Sequence, residues 1–427
     1  MDEKSQQAYL KPGARSYVWS YLANLMVIGA SFLSYRLSSH FMSDQDFAIF
    51  AITKRIAVCG AAIVATGWGV SLAYHVAQER SREGGSNPHR IFVLASKQIT
   101  LFLLLLLGLV LILPRQLSLM LLGDKAYGDY LIPLLYDFLA TSAHGTLTYY
   151  FLGLMQIRLF SLVSIICSAF IPILGFFLFG SELNQYFVGK ASLTILVTLT
   201  FYLFFARPAG ESPGNGGKEE WGNLLSYAAV RMPGAFLVSL LLILPVTLST
   251  HTSQALDRAA ALSIGMALVG VVAAGVTPVS NLFLPRAAYL KSQGKAADLR
   301  GSVLKVCWIV ALLSVLYIAL LTAFLEPFMT LLLGKELTGF ENIIREALPA
   351  ALPYALFRCF YGLLDGACEK PLATYNALVS VLIFTLVSAF CWWTGKGDPS
   401  IVGFLASTFC LGAISVSQTF WVLRQPS

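Results

Sequence analysis

The sequence predicts an all-α integral membrane protein of about twelve transmembrane helices, arranged as two six-helix bundles related by a pseudo-twofold axis along the membrane normal. Three observations predict it: an apolar composition, twelve apolar segments of membrane-crossing length, and a repeat that divides the chain near its middle. Hydrophobic residues make up 57 % of the 427 residues and charged residues 12 %, with a mean hydropathy of +0.73. A soluble domain carries about 25 % charged residues, because it covers a wet surface. Composition therefore excludes a soluble enzyme, a secreted disulfide scaffold and a disordered regulator. The seven cysteines have no metal-ligand spacing and read as small apolar packers. The net charge of +7 is the excess expected of Lys and Arg in cytoplasmic loops, so it implies no nucleic-acid partner.

A bilayer core about 30 Å thick needs about 20 apolar residues at 1.5 Å each. That ruler gives spans at 16–36, 47–75, 91–113, 130–155, 159–180, 186–206, 224–249, 259–284, 303–325, 347–365, 371–393 and 400–423. The first is too long for a signal-peptide core and has no small-residue cleavage site. Lys and Arg in the connecting segments divide sixteen to eight, which predicts both termini on the cytoplasmic side. In that tally Lys190 counts as an outer-segment residue. The stretch 207–223, rich in Gly, Pro and Glu, reads as a flexible cytoplasmic linker between bundles 1–206 and 224–427. No loop is long enough to form a catalytic domain.

The linker's central position prompts a comparison of the halves. LMLLGDK at 119–125 resembles TLLLGKE at 330–336, and Gly123 to Gly334 is a shift of 211. YYFLGLM at 149–155 resembles CFYGLLD at 359–365, and Gly153 to Gly362 is a shift of 209. Ser16-Tyr17 and Ser226-Tyr227 open spans one and seven at a shift of 210. Six spans return the chain to its starting side, so the copies run in parallel, as in many secondary transporters with a site between halves.

Ionisable groups at membrane depth are costly and usually face a bundle interior or a wet cavity. The deep set is Lys54 and Arg55 in span two, Asp137 and His144 in span four, Arg231 in span seven, and Arg358 and Asp365 in span ten. Lys97, in span three, reads as snorkelling to the inner interface. Asp137, Thr141, His144 and Thr148 fall at i, i+4, i+7 and i+11, on one helical face. Arg55, Cys59, Ala62 and Thr66 repeat that spacing. Adjacent Lys54 and Arg55 point about 100° apart, so one is expected to face inward and the other to reach for headgroups. Asp137 has two readings: part of a transport cavity, or a partner that ties a basic residue to another helix. His144 reads more readily as a packing residue than as a proton relay. Four deep cations against Asp137 and Asp365 leave +2, which favours an anion, and the Arg fork suits phosphate. Pro172, Pro233, Pro245, Pro278, Pro349 and Pro353 lie within spans and permit kinks. With no phosphate-binding Gly loop, metal cluster or nucleophile triad, neither an enzyme nor a cofactor is expected.

The run MSDQDFAIFAITKRIAVCGAAIVATGWGVSLAYHVAQER at 42–80 resembles the opening of polysaccharide exporters of the multidrug/oligosaccharidyl-lipid/polysaccharide superfamily. Asp46-Phe47 fits that family's turn into span two, Gly67 and Gly69 fit its later glycines, and Ala48 stands where Gly is usual. SYAAVRMPGAFLVSLLLILP at 226–245 resembles its span seven, and NLFLPRAAYLKSQGKAADLRGSVLK at 281–305 its exit from span eight. The resemblance implies a Wzx-type O-antigen flippase in a bacterial inner membrane. Its substrate would be an undecaprenyl-diphosphate-linked oligosaccharide for lipopolysaccharide or another surface glycan. Lys54, Arg55, Arg231 and Arg358 would hold the anionic head, and Asp137, His144 and Asp365 would couple transport to H+ or Na+. Membrane lipids, a polysaccharide polymerase and a chain-length regulator are the implied partners. The alternatives are a cation-coupled multidrug antiporter of the same superfamily, a membrane-embedded glycan-modifying enzyme or polymerase, and a non-transporting scaffold. Transport predicts deep charges lining one central cavity; a scaffold predicts isolated interhelical pairs.

Overall fold

The computed structural model describes residues 14–80, 87–154, 156–206, 218–252, 256–292, 299–333, 341–368 and 371–424. Most of the 207–223 linker lies outside these residues, as does Gly334. Among the described residues all regular structure is helical. Ten helical stretches are long and apolar enough to cross a membrane. The two other expected spans, 47–75 and 130–155, correspond to helical residues 44–80 and Leu131–Gly153, which carry the polar side chains of the site below. Chain contacts divide the protein into two compact units, 1–236 and 237–427, with the division inside one long helix.

The first unit begins with α1 (Ala14–Phe41) and α2 (Asp44–Val64). Ser43 and Asp46 explain the start of α2. The Ser43 hydroxyl accepts the Asp46 backbone N–H at 3.1 Å and itself donates to the Asp46 carboxylate at 3.1 Å. This cap occupies one of the backbone donors that a helix start leaves open. A π turn (Ala65–Gly69) joins α2 to α3 (Val70–Arg80). Then follow α4 (Pro88–Ile112), the short α5 (Pro114–Leu122), a 3-10 turn (Lys125–Tyr130) and α6 (Leu131–Gly153). Asn87 caps α4 by accepting from the Arg90 N–H, with Pro88 at the first position, where its missing donor costs nothing. Span five is α7 (Ile157–Ile165), a π turn (Ile166–Phe170) and α8 (Ile171–Phe179); span six is α9 (Leu183–Phe201) with a closing π turn (Tyr202–Ala206). The widened turn in span five comes just before Pro172, whose ring would otherwise press on the carbonyl of Ser168.

The second unit takes its first helix from the far part of α10 (Lys218–Thr252). It continues through α11 (Leu256–Ser292), α12 (Arg300–Ala323), the short α13 (Leu325–Leu333) and α14 (Glu341–Ala347). A 3-10 turn (Leu348–Ala350) leads to α15 (Ala351–Ala367), α16 (Leu372–Thr394) and α17 (Pro399–Val422). At its start, α17 is capped by Asp398, which accepts from the Ser400 N–H at 2.8 Å and is ion-paired with Arg258 of α11. Asp398→Ala removes both, and the cap alone is worth about 0.5–2 kcal/mol. A lowered thermal midpoint of the detergent-solubilised chain is the expected readout, with a smaller drop for Arg258→Gln. No change in either variant would mean that this end of the unit contributes nothing to stability.

The halves repeat in structure as they do in sequence. The short helix after span three runs 114–122, and adding 211 to both numbers gives 325–333, the bounds of α13. Within the first unit α6 packs on α3, α4 and α9; within the second α15 packs on α11, α12 and α17. Span four and span ten are therefore equivalent hubs. Tyr150 and Phe151 in the core of the first unit correspond, at the 209 shift, to Cys359 and Phe360 in the core of the second.

Both hubs also use a glycine for close approach. A Cβ on Gly153 would lie 2.9 Å from the Ala73 carbonyl oxygen and from Val76, on span two. A Cβ on Gly362 would overlap the Ser280 carbonyl, on span eight. The Gly362 N–H also donates to the Ser280 hydroxyl at 2.9 Å. In lipid, where water no longer drives helices together, such close backbone contact is a main source of cohesion.

Candidate functional site

The polar residues of spans two and four converge on a chamber of about 260 Å³ inside the first unit. Its wall is built by α1, α2, α6, α9 and the broken helix of span five. Asp137, Thr141 and His144 line it, as their spacing predicted. Thr148 does not; its hydroxyl donates to the Gly145 carbonyl at 2.7 Å. Lys54 lines the chamber from α2. Its ammonium donates to the Ser31 carbonyl at 2.6 Å and sits 4.0 Å from the Tyr35 ring centroid and 5.5 Å from that of Phe50. Aromatic faces attract a desolvated cation, so these rings replace part of its lost hydration.

The chamber's second ammonium, Lys190, is a residue the sequence reading placed in an outer segment. That placement is corrected here: Lys190 lies seven residues into α9 and forms an ion pair with Asp137 at 2.7 Å. It also lies 5.8 Å from the Tyr186 ring and 5.9 Å from that of Phe187. The signal was present in the sequence. Lys190, Thr194 and Thr198 repeat at i, i+4 and i+8, which also keeps them near one face of their helix. Lys190 and Thr194 both line the chamber. Asp137 lies about 9 Å and Lys190 about 10 Å from the starts of their helices by the helical rise, which puts the pair in one layer.

Asp137 is 1 % exposed and its Oδ1 has no hydrogen-bond partner among the described residues. His144 is held at both ring nitrogens, Nδ1 3.0 Å from the Thr141 carbonyl and Nε2 3.2 Å from the Ser168 hydroxyl. Its contacts are those of a well-packed histidine. Counting Lys54, Lys190 and Asp137 as ionised, the residues that line the chamber have a formal net charge of +1.

Arg55 lies outside this group but is itself only 8 % exposed, and its Nε and Nη2 have no partner among the described residues. The expectation that one of Lys54 and Arg55 reaches for headgroups is therefore corrected. Lys54 is held among rings, and Arg55 is buried rather than extended outward. Arg358, half-buried in the second unit, holds its guanidinium 5.7 Å from the Tyr361 ring centroid and forms no ion pair with a described residue. The side chains of Arg231 and Asp365 lie outside the described residues, as do those of Cys59, Ala62 and Thr66. Among the described residues no three His, Cys, Asp or Glu side chains form a metal-sized cluster.

Asp137 and Lys190 form an interhelical pair, and Lys54 and Arg358 have no acidic partner among the described residues. The chamber's chemistry is that of a small, cation-rich, aromatic-walled space with one carboxylate oxygen open to a donor.

No protein-family model matches the chain, and no curated protein sequence matches it. Solved structures do. The fold is similar to that of the eukaryotic MATE transporter AtDTX14, with a TM-score of 0.71 at 15 % identity, covering 95 % of this chain and 96 % of that one. It is also similar to an outward-facing multidrug resistance MATE family transporter of the MOP superfamily, with a TM-score of 0.68 at 12 % identity over 97 % and 96 % of the two chains. A third neighbour is a MOP superfamily transporter from Pyrococcus furiosus Vc1, described as having a binding pocket of reverse polarity that suggests a different function. Its TM-score is 0.66 at 12 % identity over 96 % and 95 %.

Proposed function

We propose that this chain, which has the MATE fold, is a transporter whose substrate carries an anionic head: a lipid-linked oligosaccharide on undecaprenyl diphosphate. It would be moved across a bacterial cytoplasmic membrane by alternating access, for surface polysaccharide synthesis. Both termini then face the cytoplasm, and a polysaccharide polymerase and chain-length regulator act on the product. The observation that carries this reading is buried positive charge without acidic partners. Among the described residues, buried Arg55 has two guanidinium nitrogens without a partner, and half-buried Arg358 has an aromatic ring but no carboxylate. A buried guanidinium with open donors is costly until an anion fills them, and its fork matches phosphate oxygens. Arg231 joins them as a proposed head-binding residue. The chamber around Asp137 is too small for an oligosaccharide, so its role is coupling. Asp137 with its open Oδ1 is the proposed H+ or Na+ site, with His144 beside it and Asp365 as a second candidate.

A second reading rests on that same carboxylate. A buried acid in a MATE fold also suits a cation-coupled multidrug antiporter, and two of the similar structures are described as MATE transporters, one of them a multidrug resistance protein. One experiment separates the readings. The purified chain is reconstituted into proteoliposomes and assayed for translocation of a fluorescent undecaprenyl-diphosphate glycan and, in parallel, for ethidium transport. The lipid-linked substrate should move, and Arg358→Ala should slow it at least tenfold (a loss of about 1.4 kcal/mol of transition-state stabilisation) with unchanged protein content. Ethidium transport without glycan movement would overturn the first reading and favour the second.

A further inference from the structure

Helices α4 and α9 both pack on α6, and between them they leave a furrow of about 550 Å³ in the wall of the first unit. Its floor is Ala143, Thr146 and Leu147 of α6. Its lips include Leu101, Leu104 and Leu199, each more than half exposed, which places the furrow on the lipid-facing surface. It is separate from the charged chamber, because α6 turns a different face to each.

The furrow has a chemical polarity. At one end His89, Phe92 and Tyr202 form a stack of near-parallel rings, with centroids 5.7–6.0 Å apart and interplanar angles of 24–28°. Phe92 and Tyr202 line the furrow. Amphipathic rings such as Tyr202 concentrate at the membrane–water interface, so this end lies at headgroup level. Lys97 is the one charged residue among those that line the furrow. It is exposed and makes no ion pair with a described residue. It lies five residues beyond Phe92, about 7.5 Å along the helix. Helical Cα–Cβ bonds tilt towards the N-terminus, so the Lys97 side chain leans back towards the aromatic stack, and its flexible stem extends that reach.

We propose that this furrow is a binding site for an anionic phospholipid of the surrounding leaflet. One acyl chain lies along the floor, and the phosphate sits on the Lys97 ammonium beside the aromatic stack. The apolar lining matches an acyl chain, and the single unpaired cation at headgroup depth matches an anionic phosphate rather than a zwitterionic pair. The lipid would lie one helical turn from the coupling chamber. Thr198 lines the furrow and Thr194 the chamber, and the Thr198 hydroxyl donates to the Thr194 carbonyl at 2.7 Å. This inference does not depend on which substrate the protein moves.

The test is native mass spectrometry of the full-length chain in mild detergent, titrated with phosphatidylglycerol or phosphatidylcholine. One phosphatidylglycerol should bind about tenfold more tightly than phosphatidylcholine. Lys97→Gln should bring phosphatidylglycerol down to the phosphatidylcholine level, and Ala143→Phe, which fills the floor, should remove the site for both lipids. Should Ala143→Phe not give a monodisperse protein, Thr100→Trp blocks the furrow from an exposed position on its lip. Equal binding of the two lipids by the unmodified protein, an undiminished preference in Lys97→Gln, or full occupancy in both filled variants overturns the proposal. Displacement of phosphatidylglycerol by inorganic phosphate also overturns it, since the site would then be one for a free anion.

Discussion

Asp137→Asn is expected to be the most damaging single change in the first unit, whereas Lys190→Gln, which breaks the same ion pair, is expected to be tolerated better. The reason is the chamber's charge. Lys54, Lys190 and Asp137 share it, for a net +1. Asp137→Asn raises that to +2, with two ammonium groups facing each other in a low-dielectric space and no anion between them. Removing one partner of a buried pair costs about 3–5 kcal/mol because the other charge is left uncompensated. Lys190→Gln brings the chamber to zero and leaves Lys54 as the cation for Asp137. Double replacement, Asp137→Asn with Lys190→Gln, returns the net charge to +1 and should recover part of the stability lost by Asp137→Asn alone. Thermal midpoints of the four proteins in one detergent make the comparison. Equal losses for the two single variants would show that the pair acts alone and that Lys54 takes no part in the chamber's electrostatics.

That asymmetry could not be argued from the sequence, although most of its members were legible there. Apolar length and composition predict the helical membrane fold, because a bilayer fixes how many residues a span needs. The matches near shifts of 209 to 211 predict the repeat, and the equivalent hub helices carry it into three dimensions. The span-four stripe is legible because helical periodicity is rigid, and three of its four residues line the chamber. Lys190 was misread for a physical reason. A charge near the end of an apolar run looks like the boundary of the run, and only its partner on another helix reveals that it points inward. The π turns at Ala65–Gly69 and Tyr202–Ala206 have no comparable sequence signal, whereas Pro172 marks the one at Ile166–Phe170. They shift the register of a helix face by a fraction of a turn, which is how Ser168 comes to meet His144.

Gly153→Val and Gly362→Val should be nearly equal in effect, and both should sharply reduce the folded protein recovered from membranes. Each glycine is where a hub helix touches the second helix of its own unit. At Gly153 a Cβ would meet the Ala73 carbonyl and Val76 at 2.9 Å; at Gly362 it would meet the Ser280 carbonyl. Neither backbone yields without moving a whole helix. Inserting one extra carbon into a packed contact costs about 1–3 kcal/mol, and valine adds three. Moving α15 outward would also stretch the hydrogen bond from the Gly362 N–H to Ser280, worth about 0.5–1.5 kcal/mol. The control lies on the same kinds of helix. Gly108 and Gly301 have nothing within 4 Å of a built Cβ, so Gly→Ala should stabilise through helix propensity alone, by about 0.5–1 kcal/mol at Gly108 inside α4 and by less at Gly301 in the first turn of α12. Thermal midpoints of Gly108→Ala, Gly301→Ala, Gly153→Ala and Gly362→Ala, which avoid the full disruption of valine, should therefore split by sign: the first two up, the last two down. A repeat that was only a likeness of apolar strings would give no reason for Gly153 and Gly362 to fall together. A large loss at one of them with tolerance at the other would break the equivalence of the two hubs.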